Sequence, residues 1–139
     1  MTDADLLAKK LAFIETCVEQ LRTLATPARI ATDVREERFV EHTLQLAIQA
    51  TIDVASHIAS DRRLGEPATN HELFDLISAS GWIDPAQCAT MKKMVGFRNT
   101  VVHGYLRVNL AIVRSIVEHN LDDLLGYVDA VRAKLRASP

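Results

Sequence analysis

Residues 33–60 of the chain read DVREERFVEHTLQLAIQATIDVASHIAS. Val40, Leu44, Ala47, Ile48, Thr51, Ala55 and Ile58 recur through this stretch at steps of three and four, which gathers them on one face of an α-helix. The stripe predicts one helix from near Asp33 to about Ser60, about seven turns long. Asp33 followed by Glu36 is an acidic capping pattern at its start. The run DRRLGEP, with Gly65 and Pro67, ends it.

Working outward, the same periodicity predicts further helices. Upstream, Leu6, Leu7, Leu11, Phe13, Ile14, Val18, Leu21 and Leu24 place a helix over roughly Thr2 to Leu24, capped by Asp3 or Thr2 and ended by Pro27. Downstream, Asn70 caps a short helix in HELFDLISAS that closes at Gly81, and Trp82 and Ile83 plug the connector WIDP. Asp84 caps a fourth helix with Pro85 in its first turn. That helix runs through Cys88, Met91, Met94, Val95, Val101 and Val102 to near His103, with Gly104 as its left-handed stop. Asn109 caps a last helix carrying Leu110, Val113, Val117, Leu121, Leu124, Val128, Val131 and Leu135. The expected fold is all-α: an up-and-down bundle of four long helices and one short one, forming a single domain over residues 1–139.

Composition agrees. Aromatic residues make up 5% of the chain, and five Gly and four Pro leave little punctuation for a many-stranded fold. A net charge of −2 excludes a globally basic nucleic-acid binder, so any RNA contact rests on a local patch. Cys17 and Cys88 stand alone and read as reduced thiols. The sequence shows no signal peptide, no membrane span, no glycine-rich phosphate loop and no metal-ligand spacing, so a cytoplasmic protein without cofactor or metal is expected.

The chemistry concentrates in Phe97-Arg98-Asn99-Thr100-Val101-Val102-His103-Gly104-Tyr105. Imidazole moves protons near neutrality. Guanidinium carries a permanent charge and a planar fork matched to phosphate oxygens. Together Arg98 and His103 suit metal-free RNA cleavage, the His handling the ribose 2′-OH or leaving 5′-oxygen and the Arg stabilising the phosphorus transition state. Residues five apart lie about 140° around and ~7.5 Å along a regular helix. The pair converges through a long Arg with a loosened last turn, or through two copies meeting across a two-fold axis. Spacing alone also fits a helix-end Arg with a His placed at the helix carboxyl dipole.

The motif F-R-N-x-x-V-H-x-Y at the end of the penultimate helix resembles the HEPN superfamily, and more narrowly the HepT-like toxins of the type VII HEPN/MNT toxin–antitoxin systems. Glu37-Arg38-Phe39-Val40-Glu41-His42-Thr43-Leu44-Gln45 and Ile52-Asp53-Val54-Ala55-Ser56-His57 follow the same family pattern, so the resemblance extends from about residue 35 to 125. It implies a homodimeric ribonuclease with Arg98 and His103 catalytic and Asn99 supporting. It further implies that Tyr105 receives AMP from a partner MNT nucleotidyltransferase, the MntA-like antitoxin, which silences the toxin. The alternative within the family is a non-catalytic module that binds nucleotide or substrate for a nucleotidyltransferase.

Around this motif, Lys92, Lys93, Arg107 and Arg114 are candidate contacts to an RNA backbone, and equally a solvated helix face. Asp53, on an apolar helix, is a candidate to orient Arg98 or His103. His42, His57, His71 and His119 read as structural or solvent-facing. The apolar stripes of the second and fourth helices exceed what a small closed bundle buries, which points to a homodimer.

Overall fold

The computed structural model describes residues 3–103 and 109–137. Every regular element among them is helical: α1 (Ala4–Leu24), a 3₁₀ turn (Pro27–Arg29), α2 (Val34–Asp61), α3 (Asn70–Ala79), α4 (Pro85–His103) and α5 (Leu110–Ser115). A π-helical turn (Ile116–Asn120) then leads without a break into α6 (Leu121–Ala137).

Residues of cap type start most of these helices. Asp3 accepts from the Leu6 amide at 3.1 Å, and Asp33 from Arg35 at 2.9 Å, each satisfying a donor that the first turn leaves free. Glu36 does not complete a box with Asp33; it reaches back to accept from the Thr26 amide at 3.0 Å and ties the α1–α2 connection to α2. The cap of α3 is Thr69, not Asn70. Thr69 accepts from the Glu72 amide at 3.3 Å while Glu72 accepts from the Ala68 amide at 2.7 Å. Asp84 and Gln87 exchange bonds of 2.7 and 3.0 Å at the head of α4, as a capping box should.

Two helices end alike. The amides of Gly81 and Trp82 return to Ser78 and Ile77, and those of Arg63 and Leu64 return to Ser60 and Ala59. Both turns need a left-handed residue, which Gly81 supplies at φ +81° and Arg63, carrying a side chain, supplies at φ +53°.

The chain folds as an up-and-down bundle with α2 at its centre, packed on α1, α3, α4 and α5. Pairs that cross the helices fix their directions. Asp3 meets His57 and Lys10 meets Asp53, so α1 and α2 run antiparallel. Arg22 bonds Asp122 and Arg132 bonds Glu15, so α6 also opposes α1. The core follows the α2 stripe: Val40, Leu44, Ala47, Ile48, Ala55 and Ile58 are fully buried. Trp82 and Ile83 are buried as expected, and the Arg62 guanidinium lies 5.5 Å from the centroid of the Trp82 ring. Tyr127, fully buried on α6, donates to the Thr51 carbonyl at 2.9 Å and meets Phe74 edge-on at 6.0 Å.

Three further sequence expectations change. On α1, Leu7, Leu11, Ile14, Val18 and Leu21 face the core, whereas Leu6, Phe13 and Leu24 are exposed. On α4, Val102 is exposed rather than packed. The last helix is not uniform but carries the π turn. Val113, Val117 and Leu121 are spaced four and four, each step overrunning an α-helical turn by about 40°. The wider π turn takes up that overrun and keeps Val113, Ile116, Val117 and Leu121 buried together.

Candidate active site

The site is built where the second half of α4 lies against the middle of α2. Arg98 is half-buried there. Its Nη2 donates to the Gln49 side-chain oxygen on α2 at 2.5 Å, and its Nη1 donates to Asn99 Oδ1 at 3.0 Å. Nε is buried with no partner among the described residues. The two acceptors that hold the guanidinium are therefore neutral amides. A carboxylate in either place would cancel the charge a phosphate needs; amides orient the fork and leave the charge in place.

Gln49 is held in turn. Its Nε2 donates to Asp53 Oδ1 at 2.9 Å, one helical turn further along α2, and Lys10 Nζ on α1 donates to Asp53 Oδ2 at 3.1 Å. Asp53 thus reaches Arg98 through one intervening amide and not directly. Asn99 and Asp53 stand on opposite sides of Arg98 in this chain of bonds, so the structure brings together three of the residues singled out by sequence. It adds two, Gln49 and Lys10, that the sequence reading missed. Gln49 and Asp53 are four residues apart and share one face of α2, a spacing too common by itself to single out Gln49.

His103 closes α4 and is exposed. The helix stays α-helical through His103, so the loosened last turn does not occur. Arg98 faces α2 while His103, about 140° around the axis, does not stand beside it on the same helix face. Thr100, between them, donates back to the Gly96 carbonyl at 3.2 Å. Tyr105, Arg107 and the Gly104 stop lie outside the described residues.

The other cations are placed unequally. Lys92 bonds both oxygens of Asp75 on α3, at 3.0 and 3.1 Å, and this pairing holds the Asp75 carboxyl below its ordinary range. Arg114 pairs with Glu118 at 3.0 Å, four residues on. Lys93 is exposed beside a largely apolar groove of about 190 Å³ between α4 and the last helix, which Met94, Phe97, Ile112 and Ile116 also line.

A family model described as ribonuclease HepT-like matches residues 14–131. The chain belongs to the HepT-like ribonuclease family. It is 31% identical over 131 residues to the mRNA nuclease HepT of Shewanella oneidensis, across 94% of this chain and 98% of that protein. To the tRNA nuclease HepT of Aphanizomenon flos-aquae it is 33% identical over 70 residues, 50% of this chain and 48% of that one. The solved structure of a tri-AMPylated Shewanella oneidensis HEPN toxin in complex with MNT antitoxin matches with a TM-score of 0.87 at 31% identity, covering 96% of this chain and 99% of that one.

The HepT-like fold and the ribonuclease reading of the sequence are thereby borne out. In this HepT-like chain Phe97 to His103 of the family motif occupy the last turns of α4, and the α2 stretch quoted for the resemblance includes Asp53 of the bonded chain. Gln49, which lies between the two α2 stretches quoted for the resemblance, links Asp53 in one of them to Arg98 of the motif.

Proposed function

We propose that this chain is the toxin half of a HEPN/MNT toxin–antitoxin pair, a metal-independent endoribonuclease that works as a homodimer. The observation that carries it is the Arg98 guanidinium, half-buried, fixed by two neutral acceptors and set five residues before an exposed His103. Arg98 stabilises the charge that builds on the phosphate oxygens as the ribose 2′-oxygen attacks phosphorus. His103 takes the 2′-OH proton or gives one to the departing 5′-oxygen, leaving a 2′,3′-cyclic phosphate and a free 5′-OH.

Because one His103 cannot do both at once, a cleft shared by two copies supplies the second imidazole. Exposed Val102 and Ile112, and the apolar groove between α4 and the last helix, support an interface on this side of the bundle. Lys92, Lys93, Arg107 and Arg114 contact the RNA backbone around the cleft; Lys93, unlike Lys92 and Arg114, forms no ion pair among the described residues. Asn99 and Asp53 support Arg98.

The relatives named as mRNA and tRNA nucleases support RNA as the substrate. The tri-AMPylated relative bound to its MNT antitoxin supports an MntA-like nucleotidyltransferase as partner. Tyr105, two residues beyond His103, receives the AMP. That group places bulk and negative charge where an RNA phosphate would sit. No described helix is long and apolar enough to cross a membrane, and we place the pair in the cytoplasm.

Expression without a partner tests this reading. The wild-type chain should arrest growth, and Arg98→Ala or His103→Ala should each relieve the arrest. Arrest that survives both substitutions would overturn the site. A wild-type chain that is harmless, and whose mass shows no AMP on Tyr105, would favour the non-catalytic binding subunit.

A further inference from the structure

The bonds that reach Arg98 have an order imposed by donor and acceptor type. Lys10 can only donate, an ionised Asp53 can only accept, and Arg98 can only donate. A side chain that bridges Asp53 and Arg98 must therefore offer one donor and one acceptor, and Gln49 does so. Because Asp53 Oδ1 takes the Gln49 amide hydrogen at 2.9 Å, the amide oxygen must face the other way, toward Arg98 Nη2 at 2.5 Å. The orientation of the Gln49 amide is thus set by Asp53, and the orientation of the guanidinium by Gln49.

We propose that Gln49 is a positioning residue for RNA cleavage, oriented by Asp53 and, behind it, Lys10. The inference rests on the reading of Arg98 as the cation that stabilises the transition state. The Lys10–Asp53 pair is 39% and 38% exposed, so solvent screens it and it adds little to stability. Its effect is directional: it keeps the carboxylate turned toward α1 and one amide away from Arg98. A direct Asp53–Arg98 ion pair would have to break before a phosphate could bind. The intervening amide passes on the geometry without cancelling the charge.

The test is single-turnover cleavage of a labelled RNA by the purified full chain over a range of protein concentrations. The proteins compared are wild type, Arg98→Ala, Gln49→Met, Asp53→Asn and the double variant. Asp53→Asn keeps the shape but can donate as well as accept, so it no longer dictates which way the Gln49 amide points. Gln49→Met keeps the length and removes both bonds. Each of these should lower the saturating rate about 10- to 100-fold, the loss that a small misplacement of a catalytic group brings, while half-saturation moves less than about twofold. The double variant should be no slower than Gln49→Met alone, because both changes act through one path.

Wild-type rates in both single variants would overturn the inference. So would losses that multiply in the double variant, or that merely follow a fall in melting temperature. Should Gln49→Met fail to fold, the isosteric Asp53→Asn carries the comparison. An inactive wild type, or an Arg98→Ala chain as fast as wild type, would instead overturn the reading of Arg98 itself, and the inference with it.

Discussion

Arg98 Nη2 on α4 donates to the Gln49 side-chain oxygen on α2 at 2.5 Å, and this bond joins the motif-bearing helix to the central helix of the bundle. Its partner is neutral, so the guanidinium is oriented without being neutralised. Arg98→Lys separates these two properties. Lysine keeps the charge but offers a point donor in place of a planar fork held by two acceptors. We expect it to retain RNA binding within a few-fold and to lose about 10- to 100-fold in cleavage rate. Wild-type cleavage by Arg98→Lys would show that charge alone suffices.

Glu41 gives a stability test with a defined sign. Its Oε1 is buried without a partner among the described residues, and burial pushes its carboxyl above the ordinary glutamate value. Repulsion from Glu37 adds to this, and Arg38 acts against it. The native state therefore holds this proton more tightly than the unfolded chain does. Its contribution is full below the unfolded value, near pH ~4.3, and is lost as pH rises through the raised native value. Glu41→Gln removes the ionisation. Thermal melts should find the variant gaining on wild type as pH is raised from about 4 to 8. A constant difference across that range would contradict the assignment.

Tyr127 holds α6 to α2. Burial pushes its phenol far up, so the hydroxyl stays protonated and donates to the Thr51 carbonyl. Tyr127→Phe keeps the edge contact with Phe74 and removes only that bond. The expected cost is about 1 kcal/mol, or a fall of about 3 to 5 °C in Tm. Cleavage should be unchanged, since the ring lies in the core and its hydroxyl bonds Thr51 and not Arg98, Gln49 or Asn99. An unchanged Tm would show the bond to be balanced by solvation in the unfolded chain.

Much of the fold was legible because periodicity and caps agreed. The α2 stripe, the Asp33 cap and the Asp84–Pro85 start of α4 all hold. The errors over buried faces share a cause: a single helix does not reveal which of its neighbours it will meet. Leu6, Phe13 and Leu24 are as apolar as Leu7 and Leu11, but α2 and α6 cover only one side of α1. Thr69 and Asn70 are both competent caps in adjacent positions, and the reach of Glu72 to the Ala68 amide favours Thr69. The π turn leaves only the doubled four-residue step as its trace in the sequence, and a regular helix tolerates that step as well.

At the site, the types and spacing of Arg98 and His103 could be read directly, and Asp53 could be suspected. Gln49 could not. A glutamine on a long helix has no chemical signature until the residues across from it are known. Only the approach of α4 to α2 shows that it stands between a carboxylate and a guanidinium.

The central claim is that Arg98 and His103 cleave RNA without a metal. It is tested most directly by incubating labelled RNA, in the presence of EDTA, with purified wild-type, Arg98→Ala and His103→Ala protein made without a partner and free of AMP by mass spectrometry. The account expects the wild type alone to cleave and to leave cyclic-phosphate ends. Cleavage by all three proteins, or by none, would contradict it.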